Sequence, residues 1–260
     1  MGIKTEITQD ELPLKYKKFN LVETQDGLTH SVYLLDNKYV LKIVEDTAQK
    51  TILTEEKLLD NLQGLCVPKL LDIYKKEKYT MVFYTQMRGK SLRYINTSHI
   101  KEIAVFLKNF HNSSKHLTSS NEKIYEKEYL YTLILETKEP LFLNYFNSIN
   151  CTLHNDGVIH GDLFCDNAKF HDGKLSGVYD FIEACEGDFT FELAVVALSW
   201  CFDNEQLNTE KVQILLKNYG STLDIKEFTE YIKYALLYYT TTRYLHNRDY
   251  KELLQRLESL

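Results

Sequence analysis

The chain has 260 residues, with 31 Lys and Arg against 37 Asp and Glu and a formal net charge of −6. That balance excludes the broad basic footprint of a general nucleic-acid binder. A hydrophobic fraction of 44%, with three prolines and ten glycines, likewise excludes a disordered or collagen-like chain. This length lies near the size at which one core splits into two, so one or two domains are both open. Cys66, Cys151, Cys165, Cys185 and Cys201 are scattered and form no C-x-x-C pair, which points to reduced thiols. The opening MGIKTEITQDELPLKYKK is charged throughout, and no apolar run approaches the span of a bilayer. A soluble cytoplasmic protein without a membrane partner is expected.

In chain order, alternating and β-branched segments predict strands over 21–24, 30–35, 39–44, 70–74 and 80–85. Asp36-Asn37 supplies a hairpin turn between two of them. One helix interrupts the series over 51–63, with Ile52, Leu58, Leu59 and Leu62 on one face and Gly64 just past its end. After Met87-Arg88-Gly89 the period becomes helical, with Ile103, Phe106, Leu107 and Phe110 in step and further helices predicted over 124–137 and 141–154. Short strands follow at Val158-Ile159, 168–171 and 175–179, the last two joined by an Asp172-Gly173 turn. Helices resume over 189–202, 209–219 and 225–247. The fold class is α+β, in two lobes: an antiparallel sheet carrying one helix, then a mainly helical part. Clefts between lobes are favoured ligand sites.

The chemistry concentrates in His160-Gly161-Asp162-Leu163-Phe164-Cys165-Asp166-Asn167, a hairpin, and then Asp180-Phe181. Phosphoryl transfer needs a carboxylate to orient the acceptor hydroxyl and metal ions to neutralise the developing charge. H-x-D with Asn five residues after the Asp, and a second Asp closing a hairpin, supplies those parts. Asp162 would accept the hydroxyl hydrogen, and Asn167 and Asp180 would hold Mg²⁺ against nucleotide phosphates. H-x-D alone suits an ordinary polar turn equally well; the Asn, the second Asp and the flanking strands argue against that reading.

Two upstream features then gain meaning. Lys42, in Val40-Leu41-Lys42-Ile43 on the third strand, is placed to reach the α- and β-phosphates. Glu55, on the favoured face of the following helix, would pair with it, with Glu56 as the alternative if the helix phase is off by one. Gly27, in the turn before the second strand, would lie over the phosphates.

On these residues the chain resembles the aminoglycoside phosphotransferase and choline kinase superfamily of small-molecule kinases, from about Leu21 to Cys201. Within it, V-I-H-G-D-L-F-C-D-N, L-S-G-V-Y-D-F-I-E-A-C and S-W-C-F-D are most similar to the bacterial homoserine kinases of this fold. The resemblance implies a protein-kinase-like fold with a nucleotide-binding lobe over 1–88 and a catalytic and acceptor-binding lobe over 89–260. It implies ATP and Mg²⁺, and adenine docked near Phe83 to Met87, mainly through backbone groups. Three departures stand out. His30 occupies the place of an Asn, Glu192-Leu193-Ala194 replaces D-L-A beside the catalytic loop, and Leu198-Ser199 replaces the polar residue before W-C in chains that are generally longer.

Between Lys174 and Lys211 there are eight acids and no Lys or Arg, which leaves a charge of +2 on the rest of the chain. An acidic rim favours an acceptor bearing an ammonium group, by roughly 1–4 kcal/mol at contact. Glu183, Glu186 and Asp203 are the acidic candidates. Trp200, with Tyr231, Tyr234, Tyr238, Tyr239 and Tyr244, could build a cation–π wall, although those tyrosines also fit the core face of a helix. Homoserine would need a cation for its carboxylate, and Arg243 and Arg248 are both candidates. Choline, ethanolamine and aminoglycosides remain alternative acceptors, and a catalytically silent nucleotide-binding module is the alternative class. A protein substrate is disfavoured because no A-P-E follows Asp180-Phe181.

Overall fold

The structure is a computed structural model that describes residues 5–24, 31–45 and 49–260. Its first part is a sheet of five antiparallel strands, β1 (Leu21–Glu23), β2 (Ser31–Leu35), β3 (Tyr39–Glu45), β4 (Leu70–Lys75) and β5 (Tyr79–Thr85), in the order β1-β2-β3-β5-β4. Helix α1 (Gln49–Asn61) enters between β3 and β4 and ends before Gly64, whose φ of +99° is a left-handed stop.

Strand alternation decides what each face of this sheet does. Leu41 and Ile43 of β3 pack with Met81 and Phe83 of β5 on the outer face, while Val44 and Val82 join Ile52, Leu58 and Leu59 of α1 on the inner one. Lys42 falls on the inner face with Val40 because it is one residue out of step with Leu41. The outer face is closed by residues before β1, a covering the sequence reading did not anticipate. Ile7, Leu12 and Tyr16 are buried there; Tyr16 stacks on Phe83 with centroids 3.8 Å apart and planes 7° from parallel, and its hydroxyl donates to Asp72.

The second part is mainly helical. Helix α2 (Thr97–Ser114) is capped by Asn96, whose side chain accepts from the amides of Ser98 and His99. Helices α3 (Lys127–Thr137) and α4 (Pro140–Ser148) lead to β6 (Gly157–Ile159), the β7–β8 hairpin (Ala168–His171, Lys174–Val178) and β9 (Cys185–Gly187), which pairs back onto β6. Helix α5 (Phe189–Trp200) is buried almost all round, from Phe191 to Trp200, so its sequence reads apolar without a stripe. A small hairpin, β10 (Phe202–Asp203) and β11 (Gln206–Leu207), precedes α6 (Thr209–Tyr219), α7 (Ile225–Leu245) and α8 (Lys251–Glu258). The predicted helix over 141–154 stops at Ser148, and β9, the β10–β11 hairpin and α8 are additions. Each added strand is too short to carry a period; α8, however, shows Leu253 and Leu257 at helical spacing, both buried. Among the described residues no helix is long and apolar enough to cross a membrane.

Tyr16→Ala removes a stacked ring and leaves a void on the outer face of the sheet. Urea unfolding should show a loss of about 3 kcal/mol; an unchanged midpoint would place the N-terminal segment outside the cooperative fold.

Candidate active site

The loop after β6 is held by hydrogen bonds from several elements. Gly161 has φ +79° and sits against the Tyr125 ring, so a side chain there would be both strained and without room. Its amide donates to Glu192 Oε1 at 2.9 Å and its carbonyl accepts the Tyr239 hydroxyl. His160 is fully buried and bonds the Tyr179 carbonyl through Nε2 at 2.9 Å. That carbonyl can only accept, so Nε2 carries the proton and Nδ1 is left to accept from the Asp162 amide at 3.2 Å. Asn167 Nδ2 donates to the Asp162 carbonyl at 2.8 Å and to its Oδ2 at 3.2 Å. The amide nitrogen is thus committed within the loop, and Oδ1 is the atom that can serve as a ligand.

Glu192 is fully buried, and both its oxygens are used. While Oε1 takes Gly161, Oε2 meets His111 Nε2 at 2.6 Å, and His111 Nδ1 meets the Tyr219 hydroxyl at 2.8 Å. Phe189 stacks on the His111 ring at 3.9 Å. The longer carboxylate therefore still supports the loop, and its reach is accommodated by a histidine from α2. Trp200 and Ser199 add to the anchoring: the indole donates to the Leu163 carbonyl at 3.0 Å, and the Ser199 hydroxyl accepts from the Cys165 amide at 3.1 Å.

Facing this loop, Lys42 is 8% exposed and its ammonium lies 2.6 Å from Asp180 Oδ1. Burial draws the ammonium down, but the charges of Asp180 and Glu55 outweigh it and hold the pKa above the ordinary lysine value. The expected Lys42–Glu55 ion pair is replaced by Lys42–Asp180. Glu55 is buried and instead accepts the Tyr84 hydroxyl at 2.7 Å, acting on Lys42 through space. Desolvation raises the Glu55 carboxyl to about 7, against the opposing pull of Lys42. Burial also pushes Asp162 well up, with Glu183, Asp180 and Asp166 adding repulsion. Asp180 itself has φ +72°, a left-handed backbone rarely adopted by a residue with a Cβ.

A cleft of about 710 Å³ brings together Lys42, Glu55, Met87, Asp162, Asn167 and Asp180, and adds Tyr84, Asp166 and Arg248. Other expected residues lie elsewhere. Phe83 faces the outer side of the sheet, and its backbone is laddered between β3 and β5's other neighbour, β4, so neither side chain nor amide is open to adenine. Trp200 is fully buried behind the loop after β6 and cannot form an acceptor wall, and Tyr234, Tyr238 and Tyr239 are core residues of α7. Glu186 is taken by Lys123 at 3.1 Å and Asn155 at 3.0 Å, and Asp203 by Lys211 at 2.6 Å. Gly27 and His30 lie outside the described residues. Tyr84, which the sequence reading passed over, was signalled by the alternation itself, since it is one step from Phe83 and on the opposite face.

The Glu55 carboxyl, raised from 4.5 to about 7, gives a pH window. Between those values the unfolded chain has released a proton that the folded chain keeps, so stability should fall as pH rises through the window. The loss is on the order of 3 kcal/mol. Glu55→Gln lacks this titration, so its stability relative to the parent should increase from pH 5 to pH 8 in urea unfolding; parallel pH profiles would refute the assignment.

Residues 21–221 match the phosphotransferase enzyme family, APH. A homoserine kinase of Bartonella henselae is 23% identical over 251 residues, covering 84% of this chain and 79% of that enzyme. A homoserine kinase of Bradyrhizobium diazoefficiens is 38% identical over 76 residues, which span 29% of this chain and only 23% of that enzyme. Among solved structures, a thermostable mutant of aminoglycoside phosphotransferase APH(4)-Ia, in ternary complex with AMP-PNP and hygromycin B, superposes with a TM-score of 0.63 at 11% identity, over 92% of this chain and 91% of that one. With its α+β fold shared with such kinases, the chain belongs to the phosphotransferase enzyme family.

Proposed function

We propose that the protein is an ATP- and Mg²⁺-dependent kinase that transfers the γ-phosphoryl group to a hydroxyl of an amino-bearing metabolite, with homoserine favoured, and that it works in the cytoplasm. The observation that carries this reading is the meeting of Asp162, Asn167, Asp180 and Lys42 in one cleft. The names of the matched relatives support homoserine, and the AMP-PNP and hygromycin complex of the structural neighbour supports a nucleotide beside a small acceptor.

The donor set fits Mg²⁺. An Asn amide oxygen and an Asp carboxylate are hard ligands, and among the described residues no three His, Cys, Asp or Glu side chains gather as a metal cage. Mg²⁺ is commonly held in this way, by one or two protein oxygens completed by phosphates and water. When bound, the ion neutralises charge on the transferring group. In this reading residues 1–88 hold the nucleotide, with Lys42 on its phosphates and adenine near Tyr84 and Met87. Residues 89–260 supply the catalytic loop and the acceptor site.

Asp162 accepts the hydroxyl hydrogen as the acceptor oxygen bonds to the γ-phosphorus, the bond to the bridging oxygen breaks, and ADP leaves. Its position is fixed before the reaction by His160 through the Asp162 amide and by Asn167 through the carboxylate. Orientation of this kind accounts for most of what a protein contributes to phosphoryl transfer.

A coupled ADP-release screen over homoserine, choline, ethanolamine and aminoglycosides should find acceptor-stimulated turnover, greatest with homoserine. Mg-ATP binding without turnover on any of them would favour the silent nucleotide-binding module instead. Asp162→Asn should lower kcat by about 10³-fold with Mg-ATP affinity nearly unchanged, whereas Asp180→Ala should weaken Mg-ATP binding in calorimetry. Near-normal turnover in Asp162→Asn would remove it as the base.

A further inference from the structure

We infer that Arg248 and Glu183 form the acceptor's specificity pair, Arg248 binding a carboxylate and Glu183 an ammonium group, so that the preferred substrate class is a hydroxy amino acid. This deepens the phosphotransfer reading and rests on it. Arg248 follows the end of α7, where its amide donates to the Arg243 carbonyl at 2.8 Å, and its exposed side chain lines the same cleft as Asp162. Glu183 is three residues past Asp180 and also exposed, and its carboxylate lies within electrostatic reach of Asp162, Asp180 and Arg248.

Of the acidic and arginine acceptor candidates, these two are the ones without another partner among the described residues. Lys42 is matched to Asp180, Glu55 to Tyr84, and Glu186 and Asp203 to lysines. Among the described residues, neither the Glu183 carboxylate nor the Arg248 guanidinium makes a hydrogen bond or an ion pair. The other candidate cation is already occupied. Arg243 lies over the Phe164 ring at 5.6 Å and donates to the Asp249 carbonyl at 3.4 Å.

Two unengaged charges of opposite sign near one carboxylate base suit a ligand that carries both charges beside its hydroxyl. A guanidinium takes a carboxylate in a two-pronged bond, a geometry that an amino alcohol or a polycationic sugar cannot offer. Such acceptors would also leave the Arg248 charge unmatched and repelling their own ammonium.

The test compares homoserine with aminopropanol, its carboxylate-free counterpart, and γ-hydroxybutyrate, its ammonium-free counterpart, on the full chain with saturating Mg-ATP. Arg248→Ala should lower kcat/KM for homoserine and γ-hydroxybutyrate by about 10- to 100-fold and should raise it for aminopropanol, whose ammonium no longer meets a like charge. Glu183→Gln should do the reverse, lowering homoserine and aminopropanol and sparing γ-hydroxybutyrate. Arg248→Lys should recover part of the loss. Uniform losses on all three acceptors, no loss on any, or weakened Mg-ATP binding in Glu183→Gln would overturn the pair while leaving phosphotransfer intact. If the parent protein turned over none of them with Mg-ATP bound, the phosphotransfer reading would fall and this inference with it.

Discussion

The ion pair between Lys42 and Asp180 is the contact on which the cleft depends. A buried ammonium without a counter-charge is costly, so the inner face of the sheet needs a carboxylate brought to it from elsewhere in the chain. Asp180 comes from the end of the β7–β8 hairpin, and its neighbours are fixed along with it. The Tyr179 carbonyl accepts from His160, and Asp180 takes Lys42. Two consecutive residues thus tie the loop after β6 to β3. Asp180 adopts its positive φ at this junction.

The helical part carries a second buried carboxylate with a complementary task. Glu192 holds the Gly161 amide from behind, while the Tyr239 hydroxyl holds the Gly161 carbonyl, so both backbone polar groups of that residue are satisfied by side chains from α5 and α7. This requires α5 to run through the centre of the lobe. That position explains why the buried residues of the helix are apolar apart from Glu192. His111, stacked on Phe189 and bonded to Tyr219, takes the remaining oxygen and leaves no buried lone carboxylate group unpartnered.

Much of this was legible in the sequence because it depends on short-range patterns. Alternation and turn residues located the five strands of the sheet, and H-x-D with Asn167 and Asp180 located the loop and hairpin. Long-range partner choice was not legible. Lys42 and Glu55 are thirteen positions apart and Lys42 and Asp180 are 138 apart, so spacing favoured the nearer acid, whereas burial and the Tyr84 hydroxyl diverted Glu55. Trp200 shows the same limit, since composition identifies an aromatic but not whether it faces ligand or backs a loop. The outer face of the sheet failed for a different reason: residues before β1 have no period, and their apolar members Ile7, Leu12 and Tyr16 become meaningful only once Phe83 and Leu41 need cover.

The concentration of acids between Lys174 and Lys211 takes on a different meaning in the fold. Read along the chain, eight carboxylates suggest a broad attractive rim. In the structure, Asp188 caps α5 and accepts the His154 amide, Glu192 holds the Gly161 amide, Glu186 binds Lys123, and Asp203 binds Lys211. A carboxylate already matched to a cation or to amides contributes little field to a passing ligand. Asp180 is matched to Lys42 as well, so under the pairing proposed above the acceptor side would be governed by Glu183 and, against it, by the guanidinium of Arg248. Selection among acceptors then turns on two individual charges and the separation a ligand must span between them. Net acidity alone would have admitted any cation, but an arginine lining the cleft with a glutamate in electrostatic reach of it would discriminate by the ligand's own charge pattern.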